Sequence, residues 1–342
     1  MIVAPDVMLD LVATLLPEAL LVDAARSALQ AVTRGLPRAA SGIALECRLE
    51  ENPRVDFLMY LLARSGGPRA LLRCAPALDA RAWRGVLDFC VEWDDPASRL
   101  HTEVPALWLE FDVNGDSVAA PQPLPFPCIE RHICDGEPPE EQDERGRAVC
   151  LDILDRATSL LLGRPLPCAT FDTVAHLVER LPRRGRVLHV APLASRGIDA
   201  LRLVATIPRD ELPAYLDRIE WPGPRSRLEP LLATMVPANM RIGFHLDIGG
   251  RVLPTLGIEL HHPPGDPRWS PILDELVTRE VCTPDKRDAL LRFPPYARLA
   301  LPEHRAPSPV STTIGIKLVL APDEPLAAKA YLGFVPLHPL LG

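Results

Sequence analysis

With 342 residues, 47% of them hydrophobic and 24% charged, the chain has the composition of an ordinary globular protein with a sizeable core. Its 37 basic and 45 acidic residues give a net charge of −8, which argues against a general nucleic-acid binder. No run is apolar enough to cross a bilayer, and the opening residues, with Asp6 and Asp10 and no basic stretch, do not read as a signal peptide. A cytoplasmic location is expected.

Taken in order, the first element expected is a helix over residues 10–34, where Leu11, Leu15, Leu20, Val22, Ala25, Leu29 and Val32 recur near helical spacing. Residues 42–63 read as a hairpin: Ile43, Leu45 and Cys47 alternate with Ala44, Glu46 and Arg48. After a turn, Phe57, Met59 and Leu61 alternate with Asp56, Leu58 and Tyr60. A helix over 78–93 carries Trp83, Val86, Leu87 and Cys90 on one stripe. The scheme repeats over 105–130, with Leu107, Leu109 and Phe111 set against Trp108, Glu110 and Asp112. Its second strand is proline-rich and therefore irregular or edge-like. A polar loop over 135–147 then leads to helices over 146–162 and 171–181.

The third hairpin, 186–207, sets Leu188 and Val190 against Val187 and His189, turns at Ala194-Ser195-Arg196-Gly197, and sets Leu201 and Leu203 against Arg202. Helices over 210–219 and 226–236 follow. In the fourth hairpin, 241–262, Ile242, Phe244 and Leu246 oppose Arg241, His245 and Asp247, while Leu256, Ile258 and Leu260 oppose Glu259 and His261. Next come a helix over 269–279 and another begun by Thr283 with Pro284 in its first turn. The last hairpin, 312–335, is the most regular. Ile314, Ile316, Leu318 and Leu320, then Ala328, Ala330, Leu332 and Phe334, form one face. Lys317, Lys329 and Tyr331 lie on the other, in a chain whose only other lysine is Lys286.

Five units of helix plus antiparallel hairpin, with no break in composition, imply one α+β domain over 1–342. Ten strands, each with one apolar face, can close into a barrel with the helices outside, and closure removes the sheet edges. The alternative is an open antiparallel sheet covered by helices on one face. In the closed form the inner wall holds Arg48, Arg202, Arg241, Lys317 and Lys329, the aromatics Tyr60, Trp108 and Tyr331, and the acids Glu46, Asp56, Glu110, Asp112, Asp247 and Glu259. Converging cations must be neutralised, either by those acids or by an anionic ligand such as a diphosphate.

This pattern resembles the ABBA, or PT-barrel, prenyltransferases. The resemblance implies a ten-stranded barrel that moves an isoprenyl group from an allylic diphosphate to an aromatic or peptide acceptor, as in natural-product biosynthesis; whether Mg²⁺ accompanies the diphosphate stays open. Lys329-Ala-Tyr331 is similar to the family's Lys-x-Tyr element. By the same resemblance Arg48, Arg202, Arg241, Lys317 and Lys329 would bind the diphosphate. Tyr60, Trp108 and Tyr331 would shield the allylic cation, Glu110 beside Trp108 would orient the acceptor, and Glu110 and Tyr331 would be the catalytic residues.

Two other readings stay open. One is a non-catalytic small-molecule or peptide binding module of the same fold. The other is a metal-dependent enzyme using His245, Asp247, Glu259 and His261, which period two puts on one side of the fourth hairpin. No P-loop, GxGxxG, GxSxG or HExxH occurs, which disfavours the common nucleotide-binding and hydrolase classes. The eight cysteines lack paired spacing, so Cys128 and Cys134 near His132 read as incidental thiols and not as a zinc site.

Overall fold

Every alternating stretch is a strand, and the strands pair in chain order. The computed structural model describes residues 1–113, 122–129, 144–237, 240–301 and 307–337. The hairpins are β1 (Gly42–Arg48) with β2 (Val55–Leu62), β3 (Ala106–Phe111) with β4 (Leu124–Cys128), β5 (Arg186–Pro192) with β6 (Leu201–Pro208), and β7 (Arg241–Ile248) with β8 (Val252–His262). A short β9 (Tyr296–Leu299) precedes the last hairpin, β10 (Ser308–Leu320) with β11 (Ala327–Pro336). All neighbours are antiparallel, and β11 returns to β1 in the register Ile43↔Phe334, Glu46↔Tyr331 and Arg48↔Lys329. The sheet is therefore a closed ten-stranded barrel, and the open-sheet alternative falls. β9 lies outside the ring because β10 begins four residues earlier than its alternation predicts, at Ser308. That extra length pairs with Tyr296–Leu299 instead of with the barrel.

The apolar faces turn outward to helices in every unit. Phe111 meets Trp83 of α4 (Ala80–Trp93) at 6.0 Å between ring centroids, and Phe244 meets Tyr215 of α8 (Leu212–Arg218) at 5.4 Å. Phe334 meets Phe293, just past α11 (Pro284–Leu291), at 5.7 Å. These contacts belong to one continuous apolar layer between barrel and helices. Ile314, Ile316, Leu318 and Leu320 lie in it as the alternation predicts. None of the described helices is long and apolar enough to cross a membrane.

Three details differ from the sequence reading. The expected helix over 10–34 is two helices, α1 (Pro5–Ala13) and α2 (Asp23–Thr33), separated around Pro17. Proline has no N–H to donate and disfavours helical geometry in the residue before it, so the chain turns there, with Leu20 N donating to Pro17 O. In β5 a bulge between Val187 and His189 shifts the alternation. Val187 joins the outer core while Leu188 turns inward, opposite to the simple period-two assignment. Finally, β4 pairs with β3 along its length but shares one register pair with β5, Cys128↔His189. Pro125 and Pro127 cannot donate to a ladder, which makes this the thinnest seam of the barrel.

The loop over 135–143, together with His132 and Cys134, lies outside the described residues. The seven described cysteines are all free thiols. Lys286, on α11, serves the fold by closing the β1–β2 turn. Its Nζ donates to Arg48 O at 2.9 Å, to Asn52 O at 3.0 Å and to Glu50 O. Hydrogen bonds from a charged group contribute about 1.5–3 kcal/mol. Lys286→Met should therefore lower unfolding stability by about 2–3 kcal/mol in denaturant titration, with the barrel retained.

Candidate active site

The inner wall carries the polar half of each alternation, and most of its charges meet partners. Glu46 on β1 is 1% exposed and faces Tyr331 on one neighbouring strand and Asp56 on the other. Its Oε1 accepts from Lys329 Nζ at 2.8 Å and also from Arg48 Nη1, while Oε2 accepts from the Tyr331 hydroxyl. Burial raises the Glu46 pKa, but Lys329, Arg48 and Lys317 outweigh it and hold the carboxyl well below the usual range. Arg48 Nη2 also donates to fully buried Asp56 at 3.0 Å, and Asp56 further accepts from Arg54 Nε and from Val113 N. Arg202 forms a two-pronged pair with Asp247, at 2.8 and 2.9 Å.

Arg196 is the residue the sequence reading missed most clearly. Its turn reads as a simple connection, yet the short 3₁₀ helix Leu193–Arg196, ended by left-handed Gly197, aims the guanidinium inward. It holds Asp112 with two bonds of 2.7 Å and Glu110 with one of 2.5 Å. Burial and Glu46 push the Glu110 pKa up, against the pull of Arg196 and Lys317. Glu110 thus stays on the inner wall with one strong cationic partner.

Beside this ion network lies a cavity of about 530 Å³, within the range of small-molecule sites. Of the expected cations, Lys317 and Arg241 line it, whereas Arg48, Lys329 and Arg202 sit in the network. Of the expected aromatics, Trp108 and Tyr331 line it, and Tyr60 stacks on Trp108 at 4.2 Å. The wall also carries Phe126, Leu188, His189 and Arg186, none of which the sequence reading chose. Arg186 and Arg241 stand at the first residues of β5 and β7, with Thr206 between them on β6. Arg241 Nη2 donates to Thr206 Oγ1 and to Arg184 O, both at 2.7 Å. Arg186 Nη1 donates to the carbonyls of Arg183 and Gly185. His189 keeps its imidazole inside the barrel with Nδ1 unpartnered, and burial lowers its pKa to about 4.

The fourth hairpin does not assemble the expected metal set. Asp247 is turned to Arg202, and Glu259 is shared by two histidines: Oε1 lies 2.8 Å from His245 Nε2, off the axis of the ring nitrogen, and Oε2 lies 3.3 Å from His261 Nε2. Among the described residues no three His, Cys, Asp or Glu side chains are placed to hold a metal ion. Lys317, 5% exposed, directs Nζ at His245 Nδ1, 2.9 Å away. Burial and Arg202 lower the Lys317 pKa to about 8, and burial lowers that of His245 to about 4. His262, next to His261, points the other way and meets Trp269 edge-on at 5.0 Å in the outer layer.

Solved structures share this fold over nearly the whole chain. Prenyltransferase PriB, in a ternary complex with L-tryptophan and dimethylallyl thiolodiphosphate, matches 96% of this chain with 94% of its own at 15% identity and a TM-score of 0.51. The apo form of PriB matches over the same shares at 15% identity and a TM-score of 0.52. A 6-dimethylallyl tryptophan synthase matches 98% of this chain with 97% of its own at 12% identity and a TM-score of 0.53. The architecture is that of the ABBA, or PT-barrel, prenyltransferases. No sequence-family model matches the chain, and no curated protein does.

These pairings set the response of the fold to mutation and to acid. Glu46→Gln leaves Lys329 beside Arg48 and Lys317 without its anion. Breaking a buried pair from one side costs about 3–5 kcal/mol, so a loss of that size is expected in equilibrium unfolding. His245 titrates at about 4 when folded and 6.5 when unfolded, so the unfolded chain binds more protons between those values. Stability should fall as pH drops from 6.5 towards 4, and His245→Gln should flatten that part of the pH–stability curve.

Proposed function

We propose that this chain transfers an isoprenyl group from an allylic diphosphate to an aromatic acceptor held in the barrel, either a small molecule or an aromatic side chain of a peptide. The observation that carries the reading is the composition of one cavity wall, which holds two arginines at the first residues of β5 and β7 together with Trp108, Phe126 and Tyr331. The ligands named for the PriB complex, an aromatic amino acid and a dimethylallyl diphosphate analogue, support the same donor and acceptor classes.

In this reading Arg241, Arg186 and Thr206 hold the diphosphate. As the C–O bond breaks, negative charge builds on the leaving oxygens, and fixed cations stabilise that separation. The allylic cation faces Trp108, Phe126 and Tyr331, each contributing roughly 0.5–2 kcal/mol through its π face. The closed wall excludes water that would quench the cation. Glu110, kept in place by Arg196, accepts a hydrogen bond from the acceptor and orients it. Arg48, Lys329 and Arg202 set the charge of the surrounding wall through their acids. Mg²⁺ enters this reading only as a counter-ion of the diphosphate, since Glu110 and Glu259 are already engaged.

The neutralised cations favour one rival, a binding module of the same fold that never turns over. Thermal shift and calorimetry with dimethylallyl and longer allylic diphosphates, with and without Mg²⁺, separate the readings when followed by mass spectrometry of aromatic acceptors. A rise in Tm is expected, and Arg241→Ala should weaken binding by about 10- to 100-fold, the loss of one charge-assisted hydrogen bond. Binding without product from any aromatic acceptor would favour the module. No shift with any allylic diphosphate at millimolar concentration would end the transferase reading.

A further inference from the structure

Thr313 and His261 line the cavity and are themselves exposed, which marks its mouth at the end of the barrel where β10 runs past the ring. Thr313, Gly315 and Lys317 of β10 face the cavity, so period two puts Pro309 and Ser311 on the same face above the rim. Their register partners on β9 are Arg298 and Tyr296, whose side chains share that face, while Ala297 and Leu299 are buried on the other. Tyr296, at 66%, is the most exposed large hydrophobic side chain among the described residues. Arg298 is exposed as well and has no ion-pair partner among them. Opposed residues of an antiparallel pair alternate between bonded and non-bonded positions. Pro309 has no N–H, and its carbonyl accepts from Leu337 N, just past β11, at 2.9 Å, so the backbone of Arg298 opposite it is not bonded to β10. Thr312 N donates to Pro295 O, in the phase this requires. The N–H and C=O of Tyr296 and Arg298 thus point away from β10, to an edge that pairs with no strand among the described residues.

We propose that this edge docks the acceptor: an extended peptide segment with an acidic residue opposite Arg298 and its aromatic residue four places further on. The inference rests on the transferase reading and narrows its acceptor to a peptide. The added strand takes its backbone bonds from Tyr296 and Arg298, as in strand addition to any exposed sheet edge. β9 runs out of the barrel as β10 runs in, so an antiparallel guest runs inward. Two places after its residue opposite Arg298 comes one opposite Tyr296, level with Ser311. Two places further, roughly 13 Å from the start, the same face is level with Thr313 on the cavity wall.

Charge, place and length select this occupant. β9 takes the position of β8 beside β10, so its free edge is turned to the side where β7 begins, at Arg241 on the cavity wall. Cations therefore stand both at the edge and below it. An acid opposite Arg298 neutralises the outer one and leaves Arg241 to the donor. A second copy of the chain fits less well, because β9 is four residues long and two such edges meeting would set both Arg298 side chains on one face. A free aromatic amino acid reaches the cavity but makes none of the edge contacts.

The test gives the full-length chain dimethylallyl diphosphate and compares acetyl-Glu-Thr-Val-Thr-Trp-amide with acetyl-Trp-amide as acceptors, then repeats the pair with tyrosine for tryptophan. The pentapeptide is expected to show a kcat/KM about 10-fold higher, what one or two net hydrogen bonds supply, and through KM, since the edge bonds form before reaction. Methylating the valine nitrogen, which faces Tyr296, should remove most of that gain, whereas methylating the preceding threonine nitrogen should not. Arg298→Glu should remove the gain too, and a peptide with lysine in place of its glutamate should recover it in that variant, an exchange a merely structural arginine would not show. Equal kcat/KM for the pentapeptide and the capped single residue would overturn the proposal, as would a gain indifferent to methylation and to Arg298→Glu. A dimer in ultracentrifugation whose Arg298 amide is protected from hydrogen exchange would assign the edge to a second copy and overturn it as well. If no acceptor gives product, the transferase reading falls and fluorescence anisotropy of the labelled pentapeptide decides the edge: binding lost in Arg298→Glu supports it, and no binding, or binding that the variant leaves unchanged, overturns it.

Discussion

A charged interior can close only if its charges are settled at the seam, and Glu46 settles them. It lies on β1, the strand that joins both β2 and β11 and so completes the ring. Its partners come from its own strand, Arg48, and from the closing strand, Lys329 and Tyr331. The backbone ladder between the first and last strands and the neutralisation of three inward side chains are therefore one set of contacts. A buried carboxylate without those cations would carry a desolvation penalty of several kcal/mol, and the cations without it would repel one another. Across the barrel the β4–β5 seam has neither a full ladder nor such a knot, because Pro125 and Pro127 remove the donors a ladder needs.

That arrangement divides the wall. Cations near the closing strands pair with acids, and Arg186 and Arg241, at the beginnings of β5 and β7, line the cavity. Trp108 and Phe126 face each other as register partners on β3 and β4, so the apolar surface of the cavity comes from the hairpin whose second strand is least regular. Proline-rich β4 gives up hydrogen bonds to β5 while still supplying that aromatic face.

Period two was enough to find the barrel, because the strands place their apolar residues on one face and the helices supply the apolar layer each one needs. It failed at Val187–His189, where one extra residue reverses the phase and no local residue type announces it. The inward set was also legible: Glu46, Glu110, Lys317 and Tyr331 face inward as alternation requires. Which of them pair was not legible, since pairing depends on shear around the whole ring and on side-chain reach. Arg202 meets its register partner Asp247 directly, but Glu259 reaches diagonally to His245 on β7 and along its own strand to His261. Arg196 lay beyond any strand pattern, because a residue in a turn has no face until the turn is built.

The diagonal contacts have a steric cause at two glycines. His245 pairs in register with Gly257, and a Cβ there would meet Lys317 Cε at 2.8 Å and His245 Cβ at 3.1 Å. Gly315 pairs with His261 in the same way, and a Cβ there would meet His261 Cε1 at 2.8 Å. Glycine at these two places lets lysine and both imidazoles lie along the wall instead of standing out into the lumen. Lys317 Nζ then reaches His245 Nδ1, Glu259 lies beside both imidazoles, and the volume in front of them stays open. Two absent side chains on β8 and β10 thereby decide both the geometry of these groups and the space available to whatever binds beside them.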